Sequence, residues 1–137
     1  MMNKIAIIPA RMNSSRFPGK PMKEINGIPM IGHCLNRAKL CKSLDDVYVA
    51  TCDEIIFDYI KSIDGKVVMT SNSHERASDR AAEALEKIEA SINKKFDIVI
   101  MLQGDEPMVT PKMIDKSLEP FVDENVKVVN LYSKITQ

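Results

Sequence analysis

Short runs of apolar, β-branched residues recur along the chain and read as five strands, at residues 4–9, 47–51, 66–69, 97–102 and 126–131. The intervals between them carry apolar residues at helical spacing. Met30, Ile31, Cys34, Leu35, Ala38 and Cys41 share one face; Ile55, Ile56, Tyr59, Ile60 and Ile63 share another; Ala81, Ala82, Leu85 and Ile88 continue the pattern. Helix ends are marked by Pro29 as a first helical residue, Asp53 as an N-cap and Gly65 just past a C-terminus, with Thr110-Pro111 opening a last short helix. Strand and helix thus alternate, and the strands are apolar almost continuously, as expected when helices cover both faces of a parallel sheet. The expected fold is α/β: a three-layer, open, mainly parallel sheet. In such sheets ligands bind beyond the carboxyl ends of the strands, which directs attention to the loop after each strand.

Composition narrows the field. With 137 residues, 45% hydrophobic and 28% charged, the chain has the make-up of one folded domain, and no repeat, low-complexity tract or linker divides it. Nineteen Lys and Arg balance nineteen Asp and Glu, so no bulk field draws it to nucleic acid or an anionic membrane, and any anion site must be local. The longest apolar stretches fall far short of the ~20 residues a membrane helix needs, and Pro9 and Arg11 interrupt the first before any signal-peptide cleavage site. A cytoplasmic address is the expectation. Cys34, Cys41 and Cys52 lack disulfide or zinc spacing and read as reduced, mostly buried thiols. His33 and His74 read as bystanders.

Two loops carry the candidate chemistry. Residues 9–21, Pro-Ala-Arg-Met-Asn-Ser-Ser-Arg-Phe-Pro-Gly-Lys-Pro, bring three cations, two hydroxyls and a glycine directly behind a buried strand. Gly19 lets backbone N–H groups approach a phosphate, and Arg11 and Lys20 can donate charge-assisted bonds. A solvated basic loop shaped by its prolines has the same composition, and composition does not separate the two. There is no G-x-G-x-x-G, and Gly19-Lys20 is followed by Pro21 instead of Ser or Thr, which excludes a dinucleotide fingerprint and a Walker loop. Gln103-Gly104-Asp105-Glu106-Pro107 follows the fourth strand, where Asp105 is either a turn residue or a ligand for a hard cation. The polar stretch 70–80 follows the third strand. It can read a base edge, or it is a surface loop with Ser78 capping a helix.

The segments Ile8-Pro9-Ala10-Arg11 and Ser15-Arg16-Phe17-Pro18-Gly19-Lys20-Pro21 resemble the N-terminal signature of the 3-deoxy-manno-octulosonate (KDO) cytidylyltransferases, and more loosely the sialic-acid and spore-coat branches of that superfamily. The resemblance extends, in the family's order, through Gly27-x-Pro29-Met30-Ile31, Ala50-Thr51-Cys52-Asp53-Glu54, Met69-Thr70-Ser71, Ser78-Asp79-Arg80 and the Gln103–Pro107 loop. Two departures stand out: Ala77 replaces a glycine of the family's Ser-Gly-Thr-Asp-Arg stretch, and Cys52 replaces an aspartate.

What the resemblance implies is specific. The fold would be of the nucleotide-diphospho-sugar transferase, Rossmann-like kind. The reaction would transfer CMP from CTP to an acidic sugar, KDO before a sialic-type or spore-coat-type substrate, for cell-surface polysaccharide or lipopolysaccharide synthesis. Arg11 and Lys20 would act on the triphosphate, with Ala10, Arg16 and Gly19 in the same cradle. Ser71, Ser78 and Arg80 would contact or orient the cytosine and ribose side, with Gln103 nearby, and Asp105 would bind Mg2+. Family chains are considerably longer, their later part supplying the acid-sugar pocket, another metal-binding carboxylate and much of a homodimer contact. Residues 1–137 are therefore expected to be a nucleotide-binding part, apparently truncated at its C-terminus, that binds CTP without completing the transfer. A non-catalytic nucleotide-binding module is the rival from another class. A glycosyltransferase would want an Asp-x-Asp motif, which Gly104-Asp105-Glu106 does not supply.

Overall fold

A computed structural model describes residues 3–12, 19–73, 76–102 and the backbone of 128–131. Five parallel strands, β1 (Lys4–Ala10), β4 (Asp46–Thr51), β5 (Val67–Met69), β6 (Ile98–Leu102) and β7 (Val128–Leu131), form one sheet in the order β5-β4-β1-β6-β7. All five expected strands are present, with ends shifted by one or two residues. A small antiparallel hairpin, β2 (Glu24–Ile25) and β3 (Ile28–Pro29), interrupts the path from β1 to helix α1 (Met30–Lys39).

The sheet is covered on both faces because β1 is apolar on both. Ala6, Ile8 and Ala10 point into a core shared with Ile31, Leu35 and Ala38 of α1 and with Ile56 and Ile60 of α2 (Glu54–Ser62). Ile5 and Ile7 point the other way, onto Ala81, Ala84 and Ile88 of α3 (Ala77–Ile92). Each isoleucine taken fully out of water contributes roughly 1.5–3 kcal/mol, so the two-sided burial of one strand supplies much of what holds three layers together. The helical faces differ in detail from the periodic reading. Ile55 is 53% exposed and Ala82 is exposed, while Ala84 takes the buried place on α3.

Local stops follow backbone chemistry. α2 ends in a Schellman arrangement: Gly65 N–H donates to Ile60 O at 2.9 Å and Asp64 N–H to Lys61 O at 3.1 Å. The left-handed residue there is Asp64, at φ 60°, not the glycine. Gly65 is needed for room instead, since a Cβ would stand 2.7 Å from both Ile60 Cγ2 and Leu35 Cδ2. α3 ends the same way, with Asn93 at φ 52° and Lys94 N–H donating to Glu89 O at 3.2 Å. The expected helix at Thr110-Pro111 lies outside the described residues.

The chain order along the sheet reverses between β1 and β6. The helices after β1 and β4 pack on one face and the helix after β5 on the other, so the loops leaving β1 and β6 flank the switch point.

Candidate nucleotide-binding edge

The carboxyl ends of β1, β4 and β5 lie side by side because the strands are parallel and paired in register, Ala10 opposite Thr51 and Thr51 opposite Met69. Ala10 is 6% exposed at this edge. Arg11 and Met12 follow it, half-buried. Gly19 N–H donates to Met12 O at 2.6 Å, so the two described ends of the basic loop meet, and Gly19, at φ 80°, adopts a conformation that L side chains disfavour. The short 3-10 helix Lys20–Met22 follows at once, placing Lys20 beside the same mouth, half-buried like Arg11. Arg16 lies outside the described residues.

On β4, Thr51 is fully buried, and its Oγ1 accepts from Asp53 N–H at 3.1 Å. Asp53 holds the N-cap position of α2 but makes no side-chain cap; its Oδ2 accepts from Met12 N–H at 2.8 Å. The sequence places Asp53 as a cap, and tertiary structure redirects the carboxylate to the loop after β1. Cys52 sits between two partners. Its Sγ lies 3.9 Å from Asp53 Oδ2 and accepts from Arg80 Nη2 at 3.8 Å, both weak contacts at sulfur.

Arg80, from the first turns of α3, is 2% exposed and donates from Nε to Thr70 Oγ1 at 3.2 Å. Thr70, 5% exposed, ties back to β4 through its N–H to Thr51 O at 2.8 Å. One run of contacts, Met12–Asp53–Cys52–Arg80–Thr70, therefore crosses the loops of all three strands. Burial and these bonds give Arg80 the place of a framework strut.

Ser71 is exposed. Its N–H donates to Glu83 Oε1 at 3.0 Å, and its hydroxyl pairs with that of Ser73 at 2.8 Å. Ser78 is exposed in the first turn of α3; the N-cap position belongs to Arg76, without a side-chain bond, so Ser78 is not the cap. Gln103, Asp105 and Glu106 lie outside the described residues, as does His74. β6 nevertheless ends at Leu102 on the same edge. Among the described residues no three of His, Cys, Asp and Glu converge on a metal position.

Sequence reasoning singled out Arg11, Gly19 and Lys20, which lie at one mouth, and Ser71, Ser78 and Arg80, of which Ser71 lies in the neighbouring loop and the other two at the start of α3. In that reasoning Thr51 and Thr70 appear only as members of matched motifs or of the polar stretch, with no role of their own; their signal is a β-branched hydroxyl residue at or just past a strand's carboxyl end. The thiols behave as expected: none of the three forms a disulfide, and Cys34 and Cys41 are buried. His33 is a structural tie, its Nε2 donating to Ile25 O of the hairpin at 2.8 Å.

An open, doubly wound sheet with a basic loop gathered beside its switch point defines an α/β protein of the kind that binds ligands across strand ends. The chain belongs to the cytidylyltransferase family, whose model matches residues 5–137. It is 42% identical over 136 residues to a 3-deoxy-manno-octulosonate cytidylyltransferase of Thermodesulfovibrio yellowstonii, covering 98% of this chain and 53% of that protein. It is 47% identical over 120 residues to an 8-amino-3,8-dideoxy-manno-octulosonate cytidylyltransferase of Shewanella amazonensis, covering 88% and 48%. A solved structure of a CMP:2-keto-3-deoxy-manno-octonic acid synthetase complexed with CTP superposes at a TM-score of 0.79, with 39% identity, over 87% of this chain and 47% of the other. A 4-diphosphocytidyl-2C-methyl-D-erythritol synthase, 16% identical, shares the fold at a TM-score of 0.67, over 85% of this chain and 53% of that one. The chain spans about half the length of the curated relatives it matches. Among the described residues no helix is long and apolar enough to cross a membrane.

Proposed function

We propose that this chain supplies the CTP-binding half of a cytidylyltransferase that transfers CMP to an eight-carbon acidic sugar, KDO or its 8-amino form, with release of pyrophosphate. The observation that carries the reading is the meeting of Met12 and Gly19, which sets Arg11 and Lys20 at the carboxyl end of the central strand beside the switch point. The likeness to a synthetase solved with CTP supports the choice of nucleotide. In the reaction a sugar hydroxyl oxygen bonds to the α-phosphorus, the bond from that phosphorus to the oxygen bridging to the β-phosphate breaks, pyrophosphate leaves with that bond's electron pair, and the hydroxyl proton passes to water. No protein nucleophile is needed; positioning and charge stabilisation suffice.

Arg11 and Lys20 would hold the triphosphate, with Arg16 and the backbone of Ala10 and Gly19 in the same cradle. Asp105 would hold magnesium, which offsets phosphate charge when bound. Ser71, Ser78 and Gln103 would face the cytosine and ribose, and Arg80 would orient the first of these loops from beneath. The product suits lipopolysaccharide or another cell-surface polysaccharide made in the cytoplasm, and the full-length form would be a homodimer.

Calorimetric titration of the 137-residue chain with CTP, UTP and ATP in magnesium tests the proposal. Selective CTP binding is expected, weakened about 10-fold or more in Lys20→Met, because a charge-assisted hydrogen bond contributes roughly 1.5–3 kcal/mol. Equal binding of all three nucleotides, or of none, refutes it.

A further inference from the structure

We infer that Asp53 is a positioning residue for the triphosphate loop, acting through the backbone of Met12. The inference rests on the CTP reading and adds a residue to it.

A carboxylate beside a polyanion site calls for a reason. Its own helix does not provide one: Asp53 stands at the N-cap of α2, where Asp is among the favoured residues, yet it makes no side-chain bond to that helix. Asp53 Oδ2 instead reaches across 41 residues of sequence and accepts from Met12 N–H at 2.8 Å. The other side of the same residue is also fixed, because Met12 O accepts from Gly19 N–H at 2.6 Å. Met12 is thus clamped at both polar groups, one joining it to the loop after β4 and one to the far end of its own loop. Arg11 lies between this clamp and the last residue of β1, so the peptide planes on both its sides are set before any ligand arrives.

Asp53 is itself oriented. Its N–H donates to Thr51 Oγ1 at 3.1 Å, and Thr51 is fully buried at the end of a central strand. The partial positive charge at the start of α2 is complementary to an acceptor oxygen held there. The result is a line of support from the sheet to the loop: Thr51 to Asp53 to Met12. Preorganising a loop lowers the ordering cost of binding, so the effect should fall on affinity.

Two variants separate this role from helix capping. Ser is as good an N-cap as Asp, but its shorter side chain cannot span to Met12; Asn keeps an acceptor oxygen at the right reach and removes the charge. Asp53→Ser is expected to weaken magnesium-CTP binding by about 10-fold, a loss of the size set by one charge-assisted hydrogen bond, and to speed exchange of the Met12 amide proton. Asp53→Asn is expected to bind within about 3-fold of the parent chain, since the amide oxygen still accepts. Parent-like affinity in Asp53→Ser, or equal weakening in both variants, overturns the inference. If the parent chain does not bind CTP, the functional reading falls. The Met12 amide, followed without nucleotide, then decides the clamp alone: unchanged exchange in Asp53→Ser overturns it, and faster exchange upholds it.

Discussion

Replacing Arg80 by methionine keeps a long side chain in the space between β4, β5 and α3 while deleting every hydrogen-bond donor of the guanidinium. Thr70, 5% exposed, then loses the Nε donor that now stands 3.2 Å from its hydroxyl. A buried hydroxyl left unmatched costs about 1–3 kcal/mol. Relief of the buried charge acts in the opposite direction. The expected net loss is about 1–2 kcal/mol, or roughly 3–8 °C in Tm for a chain of this size. Thr70→Val removes the orphaned hydroxyl, so Arg80→Met/Thr70→Val should recover part of the loss, with a coupling of about 1–2 kcal/mol between the two sites. Urea denaturation of the parent, both single variants and the double variant measures the cycle. Additivity within about 0.5 kcal/mol refutes the assignment of Arg80 as a strut through Thr70. A ligand-facing Arg80 would give a different pattern, with CTP affinity lost and no coupling to Thr70.

Gly65→Ala should cost about 1–3 kcal/mol, because the added methyl meets Ile60 and Leu35 at 2.7 Å and a packed core yields poorly; an unchanged thermal melt would show that the end of α2 is not packed as described. Stability should also fall on the alkaline side. Burial, then the negative charge of Glu24, pushes the Tyr59 phenol above its ordinary 10.0, and the hydrogen bond to Asp46, working against burial, lifts the Lys66 ammonium above 10.5. In both cases the folded chain keeps its proton longer than the unfolded one. The contribution is therefore full below about pH 10 and lost as pH rises through the folded values, and urea midpoints should show a shallower decline in Tyr59→Phe and in Lys66→Met.

The sheet was legible because its central strand is buried on both faces: Ile5 to Ala10 has no polar position to blur, and the alternating intervals leave little choice but a parallel sheet. Detail failed where a local signal competed with a partner distant in sequence. Asp53 has a capping residue's sequence signature, but the Met12 amide takes its carboxylate. Pro29 fits a first helical residue; it is instead the last residue of β3, paired with Glu24 and immediately before the helix. The hairpin itself was in plain sight in Asn26-Gly27, whose φ values of 54° and 81° suit the tight turn that dipeptide favours. Ser78 shows the opposite failure, a good capping residue that falls two places inside its helix. The resemblance implies that Arg80 contacts or orients the cytosine and ribose side; no one-dimensional pattern discloses that its guanidinium is buried against Thr70 and Cys52.

Position in the sheet gives the strands behind the two halves of the proposed ligand edge unequal support. The basic loop springs from β1, bonded to a neighbour on each side, whereas the serine loop hangs from β5, three residues long and paired with β4 alone among the described strands. If a nucleotide lies across both as proposed, the strand under its phosphates is braced by two neighbours and the strand under its base by one, so discrimination among bases would depend on how well Arg80 and Thr70 brace the weaker side.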